Sequence, residues 1–331
     1  MDLHNRRGLK DAAKASLSEA PNDPKKIILI HTGLSVALML LLVVLDFVLS
    51  NQIENTGGLS GLGTRSLLTT VQSLLQLVQL VALPFWEIGY LFCAMKMARK
   101  EAAEPASLLE GFRRFGPFLR AMLLQGVIYF GIMVICIYIG TQIFMFTPFA
   151  EPMLESMMPL MSDAAALENT EVLNEAMVQA MEQSFLPLLA IIGGLFCIVA
   201  VPISYWFRMV NYALLDDPKK GAIAAMGRSR QLMRNHCFSL FKLDLSFWWY
   251  YLLQVLLNVV CYGDVLLSMA GVTLPWSGDV SFFLFYILFL VGQLVLYYFA
   301  RNQVEVTYAL AYDSLCPPRN PKPQNHPWND Q

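Results

Sequence analysis

Two apolar segments of this chain carry the residues whose types and spacing could do chemistry: Glu87, His31 and Pro84. Glu87 lies nine residues before Lys96, so a helix would place it about 14 Å from the charged end of its segment, near the middle of a bilayer core about 30 Å thick. An ionised carboxylate at that depth costs at least about 2.5 kcal/mol. We therefore expect Glu87 to face other helices or to be protonated. His31, about 7 Å inside the first apolar segment, is a candidate partner.

Pro84 precedes Glu87 by three residues. Proline fits the first turn of a helix, so the spacing predicts a break at Leu83–Pro84 with Glu87 in the first turn of a half-helix. Broken helices that carry an acid near the midplane occur at transport sites. The alternative is a proline kink in which protonated Glu87 bonds a freed backbone carbonyl.

These residues belong to two of six apolar segments that recur along the chain. Of the 331 residues, 56% are hydrophobic and 15% are charged, and the mean hydropathy is +0.50. This composition predicts an all-α, polytopic membrane protein, since soluble domains carry about 25% charged residues. An amphipathic segment at residues 1–26 precedes the transmembrane domain, 27–315, and a Pro-rich tail at 316–331 is expected to be disordered. The predicted spans are residues 27–50, 66–95, 121–146, 185–207, 243–267 and 280–300.

The distribution of positive charge predicts the orientation. Every Lys and Arg except Arg65 falls in segments that six spans would place on the same side as the two termini. The positive-inside rule therefore puts both termini in the cytoplasm. The acidic stretch at residues 147–184 contains no Lys or Arg and becomes an external helical loop.

Each pair of spans is preceded by an amphipathic cytoplasmic piece, at residues 9–17, 105–120 and 221–237. This repetition predicts three helical hairpins. The basic side chains of the second and third pieces would contact anionic lipid head groups, at about 1 kcal/mol each, and would also set the topology. These side chains are Arg113, Arg114, Arg228, Arg230 and Arg234.

Several motifs together resemble the DUF975 family of bacterial integral membrane proteins, whose function is unknown. They are the Leu9–Leu17 stretch, the exit through Pro84, Gly89 and Tyr90 into the basic turn 97–101, the Gly111–Phe115 element, and the block from Tyr212 to Phe247 that includes His236. The acidic loop at 147–184 departs from the family pattern. The resemblance implies residence in the bacterial cytoplasmic membrane.

The sequence carries no motif of an enzyme or a cofactor site. It lacks a serine elbow, an HExxH pattern and paired carboxylates, and the Gly-rich turn at 57–65 lacks the Lys-Ser/Thr ending of a phosphate loop. No metal, cofactor or nucleic acid is expected. We interpret the protein as a non-enzymatic scaffold or accessory subunit, with the lipid bilayer, anionic lipids and another membrane protein as partners. The alternative is a transporter of a small solute or lipid, centred on Glu87 and the break at Pro84.

Overall fold

The computed structural model describes residues 5–56, 62–151, 155, 170–217, 219, 221–269 and 278–316, and its regular elements are all helical. The helices are α1 (Arg6–Ser18), α2 (Pro24–Asn55), α3 (Leu62–Ala98), a 3-10 helix (Pro105–Leu109), α4 (Glu110–Arg113), α5 (Phe115–Met145), a 3-10 helix (Pro148–Ala150), α6 (Thr170–Phe207), α7 (Val210–Asp216), α8 (Gly221–Met233), α9 (Cys237–Ser246), α10 (Trp248–Cys261), α11 (Gly263–Met269), α12 (Gly278–Leu296), a π-helical turn (Tyr297–Arg301) and α13 (Asn302–Leu315). The all-α prediction is confirmed.

Five helical stretches are long and apolar enough to cross a membrane, or six if α9 and α10 count as one bent span. The five are Pro24–Ile53, Gly63–Ala98, Phe115–Met145, Ser184–Asp216 and Val280–Leu315. The apolar helices indicate a membrane-embedded protein. The count of six spans, their orientation and the domain limits remain predictions. Residues 152–154 and 156–169 of the acidic loop lie outside the described residues, as does the Pro-rich tail after Cys316. Residues 170–184 of the loop belong to α6.

The chain divides into two compact units, Leu119–Arg208 and the remainder. The first contains most of α5 together with α6. These two helices approach closely at Gly140, where an added Cβ would lie 2.6 Å from a side-chain carbon of Ile192. Small residues allow membrane helices to pack in this way.

In the other unit, exposed apolar side chains on α2 and on the last span, the helical stretch Val280–Leu315, mark a band. They run from Leu29 to Val48 on α2 and from Val280 to Phe299 on the last span, and each twenty-residue stretch covers about 30 Å. On α3 the large exposed side chains begin at Leu67, and the buried core begins at Phe85. The band matches the hydrocarbon core of a bilayer.

Beyond the band, the helices of the same unit pack around a buried core. We call this part the cap: α1, the first 3-10 helix, α4, α7, α8, α13 and residues 85–98 of α3. α1 buries Leu9, Ala13 and Ser16 on one face and packs on α13 and α3. α13 is buried on most sides, with eight of its residues in the core.

Two glycines let the first 3-10 helix and α4 lie directly on α3. A Cβ on Gly89 would collide with the carbonyl oxygen of Leu108, and one on Gly111 with that of Phe85. The amphipathic piece predicted at 105–120 is not a single helix, because the stretch comprises the 3-10 helix, the single turn of α4 and the start of α5.

The predicted fifth span, 243–267, is not one helix. α9 ends at Ser246 and α10 begins at Trp248, with 69° between them. The ammonium of Lys10 donates to the carbonyl oxygen of Ser246 at 2.6 Å and lies 4.0 Å from the centre of the Phe247 ring. A cation at these last carbonyls stabilises the end of a helix, which explains why α9 stops within an apolar run. Burial, with the nearby charges of Lys14 and Arg6, lowers the pKa of Lys10.

Candidate functional site

Glu87 lies in α3 and forms an ion pair with Arg301 through Oε2. Its other oxygen, Oε1, is 3.9 Å from Nε2 of His31. Three membrane helices thus meet at one carboxylate: α2 supplies His31, α3 supplies Glu87 and the π-helical turn supplies Arg301. We call these three side chains the Glu87 cluster.

Arg301 is the member of the cluster that sequence analysis missed. Its side chain is only 7% exposed, and its guanidinium lies 4.7 Å from the ring centre of Tyr90 and 4.3 Å from that of Tyr297. Two aromatic faces and one carboxylate compensate for removing this charge from water. A signal existed in the sequence, because Arg301 is the sole Lys or Arg between residues 243 and 318 and a charge within a membrane segment needs a partner.

His31 is fully buried within the cluster. Its ring stacks on Trp86 at 5.3 Å and contacts Tyr90 at 4.7 Å. Neither of its ring nitrogens has a hydrogen-bond partner among the described residues. Trp86 donates to Ser35 Oγ at 2.8 Å and to the carbonyl oxygen of His31 at 3.2 Å, so α2 and α3 are joined at this level.

The structure corrects two features expected around Glu87. Helix α3 continues through Pro84 without a break. Proline removes one backbone hydrogen bond, which a packed membrane helix tolerates. Glu87 also lies where the exposed apolar side chains of α3 have given way to the buried core that begins at Phe85. It is therefore at the cap edge of the band, not at its middle.

Two ion pairs fix the register of α3 against the last span, Val280–Leu315, at two levels. Glu87 pairs with Arg301, and Arg99 pairs with Asp313, each time across 214 residues of sequence. The two levels are twelve residues apart, about 18 Å along a helix. Between them the Tyr90 hydroxyl donates to Asn302 Oδ1 at 2.5 Å. These two helices therefore run parallel over this length.

Arg99 is the centre of the second level. Its Nε and Nη2 donate to both carboxylate oxygens of Asp313 at 2.9 and 2.6 Å, and Nη2 also reaches Asp216 at 3.1 Å. Burial alone would lower the pKa of Arg99, but the hydrogen bonds and charges of Asp313 and Asp216 raise it above its ordinary value. Arg228 contacts the same Asp216 at 3.5 Å, so α3, α7, α8 and α13 are joined through charges.

The five arginines expected at lipid head groups lie in different surroundings. Arg114 pairs with Glu110 at 2.6 Å and donates to the carbonyl oxygen of Leu215 at 2.9 Å. Arg114 and Arg228 thus make contacts inside the cap, and their contact with lipid head groups stays a prediction. The other three remain exposed: Arg113, whose side chain is 64% exposed, Arg230 and Arg234.

One comparison with known proteins gives a match. A family described as "Protein of unknown function (DUF975)" matches residues 5–315. No curated protein and no solved structure matches the chain.

Proposed function

The chain belongs to the DUF975 family, whose function is unknown, and from this premise we propose that it is a non-enzymatic scaffold or accessory subunit of the bacterial cytoplasmic membrane. The observation that carries the proposal is the pairing of α3 with the last helix at two levels, through Glu87–Arg301 and Arg99–Asp313. Charged pairs held in a half-buried setting fix the relative position of helices more than they add stability. A scaffold needs such a fixed surface.

The exposure of Glu87 supports a role in binding a membrane partner. Its side chain is 47% exposed although its guanidinium partner is buried. A carboxylate that stays open beside a buried guanidinium can accept further hydrogen bonds. A hydrogen-bond donor from a second membrane protein would satisfy the free side of this carboxylate.

Gentle extraction from the native membrane tests this proposal. We expect the full-length chain to purify with a second protein in fixed stoichiometry, measured by native mass spectrometry. Glu87→Gln should weaken that association. Glu101→Gln, which changes an exposed acid in the turn after α3, should not. A particle of this chain alone, in mild detergents and from native expression levels, would contradict the scaffold proposal.

A second candidate function is transport of a small solute or lipid, and one observation favours it. His31 Nε2 lies 3.9 Å from Glu87 Oε1, so a side-chain movement of about 1 Å would form a hydrogen bond along which a proton could pass between the imidazole and the carboxylate. The broken helix and midplane depth that the transport hypothesis assumed are absent from α3. Coupled flux in proteoliposomes that Glu87→Gln abolishes and Glu101→Gln leaves intact would favour transport over the scaffold.

A further inference from the structure

A groove of about 390 Å³ lies between α1, the start of α2 and the end of the last span. Its lining includes Lys14 and Ser18 from α1, Lys25 from α2, and Tyr298 and Phe299 from the π-helical turn. It belongs neither to the Glu87 cluster nor to the basic residues of α4 and α8. Its size is in the range of small-ligand sites.

The groove lies at the edge of the apolar band. Lys25 is one helical turn before Leu29, where the exposed apolar stretch of α2 begins, and Phe299, 77% exposed, ends the corresponding stretch on the last span. Charged lipid groups occupy this depth in a bilayer, just outside the hydrocarbon core.

The charge of the lining is positive. Lys14 and Lys25 face the groove with one acid, Asp23. Asp23 is already used locally, because its Oδ1 accepts the backbone N–H of Lys25 at 2.9 Å and caps α2. The ammonium of Lys25 lies 5.7 Å from the ring centre of Tyr298, where a cation–π contact leaves its other N–H donors available.

We propose that this groove binds the phosphodiester head group of an anionic phospholipid, with Lys14 and Lys25 as the charge-bearing contacts. Both ammonium groups can donate to phosphate oxygens, whereas the Ser18 hydroxyl already donates to the carbonyl oxygen of Ala15 at 2.8 Å. The proposal is independent of whether the protein is a scaffold or a transporter.

The surface next to the groove favours a lipid over a soluble anion. Leu29 follows Lys25 by four residues on α2, and Val295 and Val291 precede Phe299 by four and eight residues. Residues at these spacings share a helix face, and all four of these apolar side chains are exposed. Acyl chains of a lipid whose phosphate sits in the groove would lie along these faces.

Native mass spectrometry of the full chain in a non-ionic detergent tests the proposal. The probes are phosphatidylglycerol and phosphatidylcholine with the same acyl chains, together with inorganic phosphate as a competitor. Each lysine near an anionic group is expected to change the binding constant about fivefold, so the pair K14A/K25A should weaken phosphatidylglycerol binding about twenty-fivefold. Binding of phosphatidylcholine should change less than twofold.

The matched control is R7A/K219A, which removes two exposed cations outside the groove and should change phosphatidylglycerol binding less than threefold. Lys25→Arg should retain binding, and thermal unfolding of each variant checks that the fold is kept. Equal weakening by the two double variants would overturn the proposal in favour of diffuse charge attraction. Displacement of the lipid by millimolar inorganic phosphate would overturn the lipid as occupant and assign the groove to a soluble anion.

Discussion

Replacing Glu87 by glutamine should cost more stability than replacing its buried partner Arg301 by methionine. Glu87→Gln leaves a guanidinium that is 7% exposed without a counter-charge, whereas Arg301→Met removes the buried charge and leaves a carboxylate that is 47% exposed. Removing one partner of a fully buried pair costs about 3 to 5 kcal/mol. Because Glu87 is about half solvated, we halve this figure to about 2 kcal/mol for Glu87→Gln.

The double variant provides the control for this asymmetry. The double variant has neither the cost of burying the charges nor the gain from pairing them, so we expect its free energy of unfolding to lie within about 1 kcal/mol of that of the parent protein. The assay is thermal unfolding of the purified chain in one detergent, followed by tryptophan fluorescence, since Trp86 packs on His31 inside the cluster. If Arg301→Met were the more destabilising single change, or if the double variant were no better than Glu87→Gln, the reasoning from burial would be wrong.

Three further changes test the packing of the cap, each by the same unfolding measurement. Gly89→Ala places a Cβ against a backbone carbonyl and should destabilise the protein by about 3 kcal/mol or more. The control Gly126→Ala meets no described atom within 4 Å and should be nearly neutral. Equal effects of the two changes would contradict the close approach of Gly89 to Leu108. Lys100 has φ of 58° at the end of α3, so Lys100→Gly should stabilise by about 1 kcal/mol, while Lys100→Ala, which removes the same side chain and retains the strain, should not. Arg99→Lys should lose the two-point contact with Asp313 and lower the free energy of unfolding by about 2 kcal/mol. If the exposed change Arg113→Lys cost as much stability, the result would argue against the ion pairs of Arg99.

The apolar segments were enough to predict the helical class, but not where each span ends. In α3 apolar side chains continue to Met97, and apart from Glu87 the residues from Phe85 to Ala98 are buried or half-buried in the cap. The sequence does not distinguish an apolar side chain that packs against protein from one that faces lipid. That ambiguity put Glu87 at the midplane, although it lies at the edge of the band.

The contacts of the cluster were harder to predict because they join distant parts of the chain. His31 was predicted as a partner because it lies in the neighbouring apolar segment, whereas the pairing of Arg301 with Glu87 was not predicted. Its pairing depends on the parallel register of α3 with the last helix, which no local pattern encodes. The end of α9 at Ser246 likewise depends on Lys10, 236 residues away.

The contact between the first and last spans has a consequence for biosynthesis. The amide of Asn302 donates to the carbonyl oxygen of Pro24 across 278 residues, and α1 packs on α13. At ribosomal rates of about 5 to 20 residues per second, the first hairpin, complete at Ala98, waits roughly 10 to 40 s in the membrane before the helix that completes the cap is begun. During that interval the apolar face of α1 and the carboxylate of Glu87 lack their final partners. A nascent chain of this protein therefore passes through a period in which a membrane chaperone or insertase has a defined surface to protect.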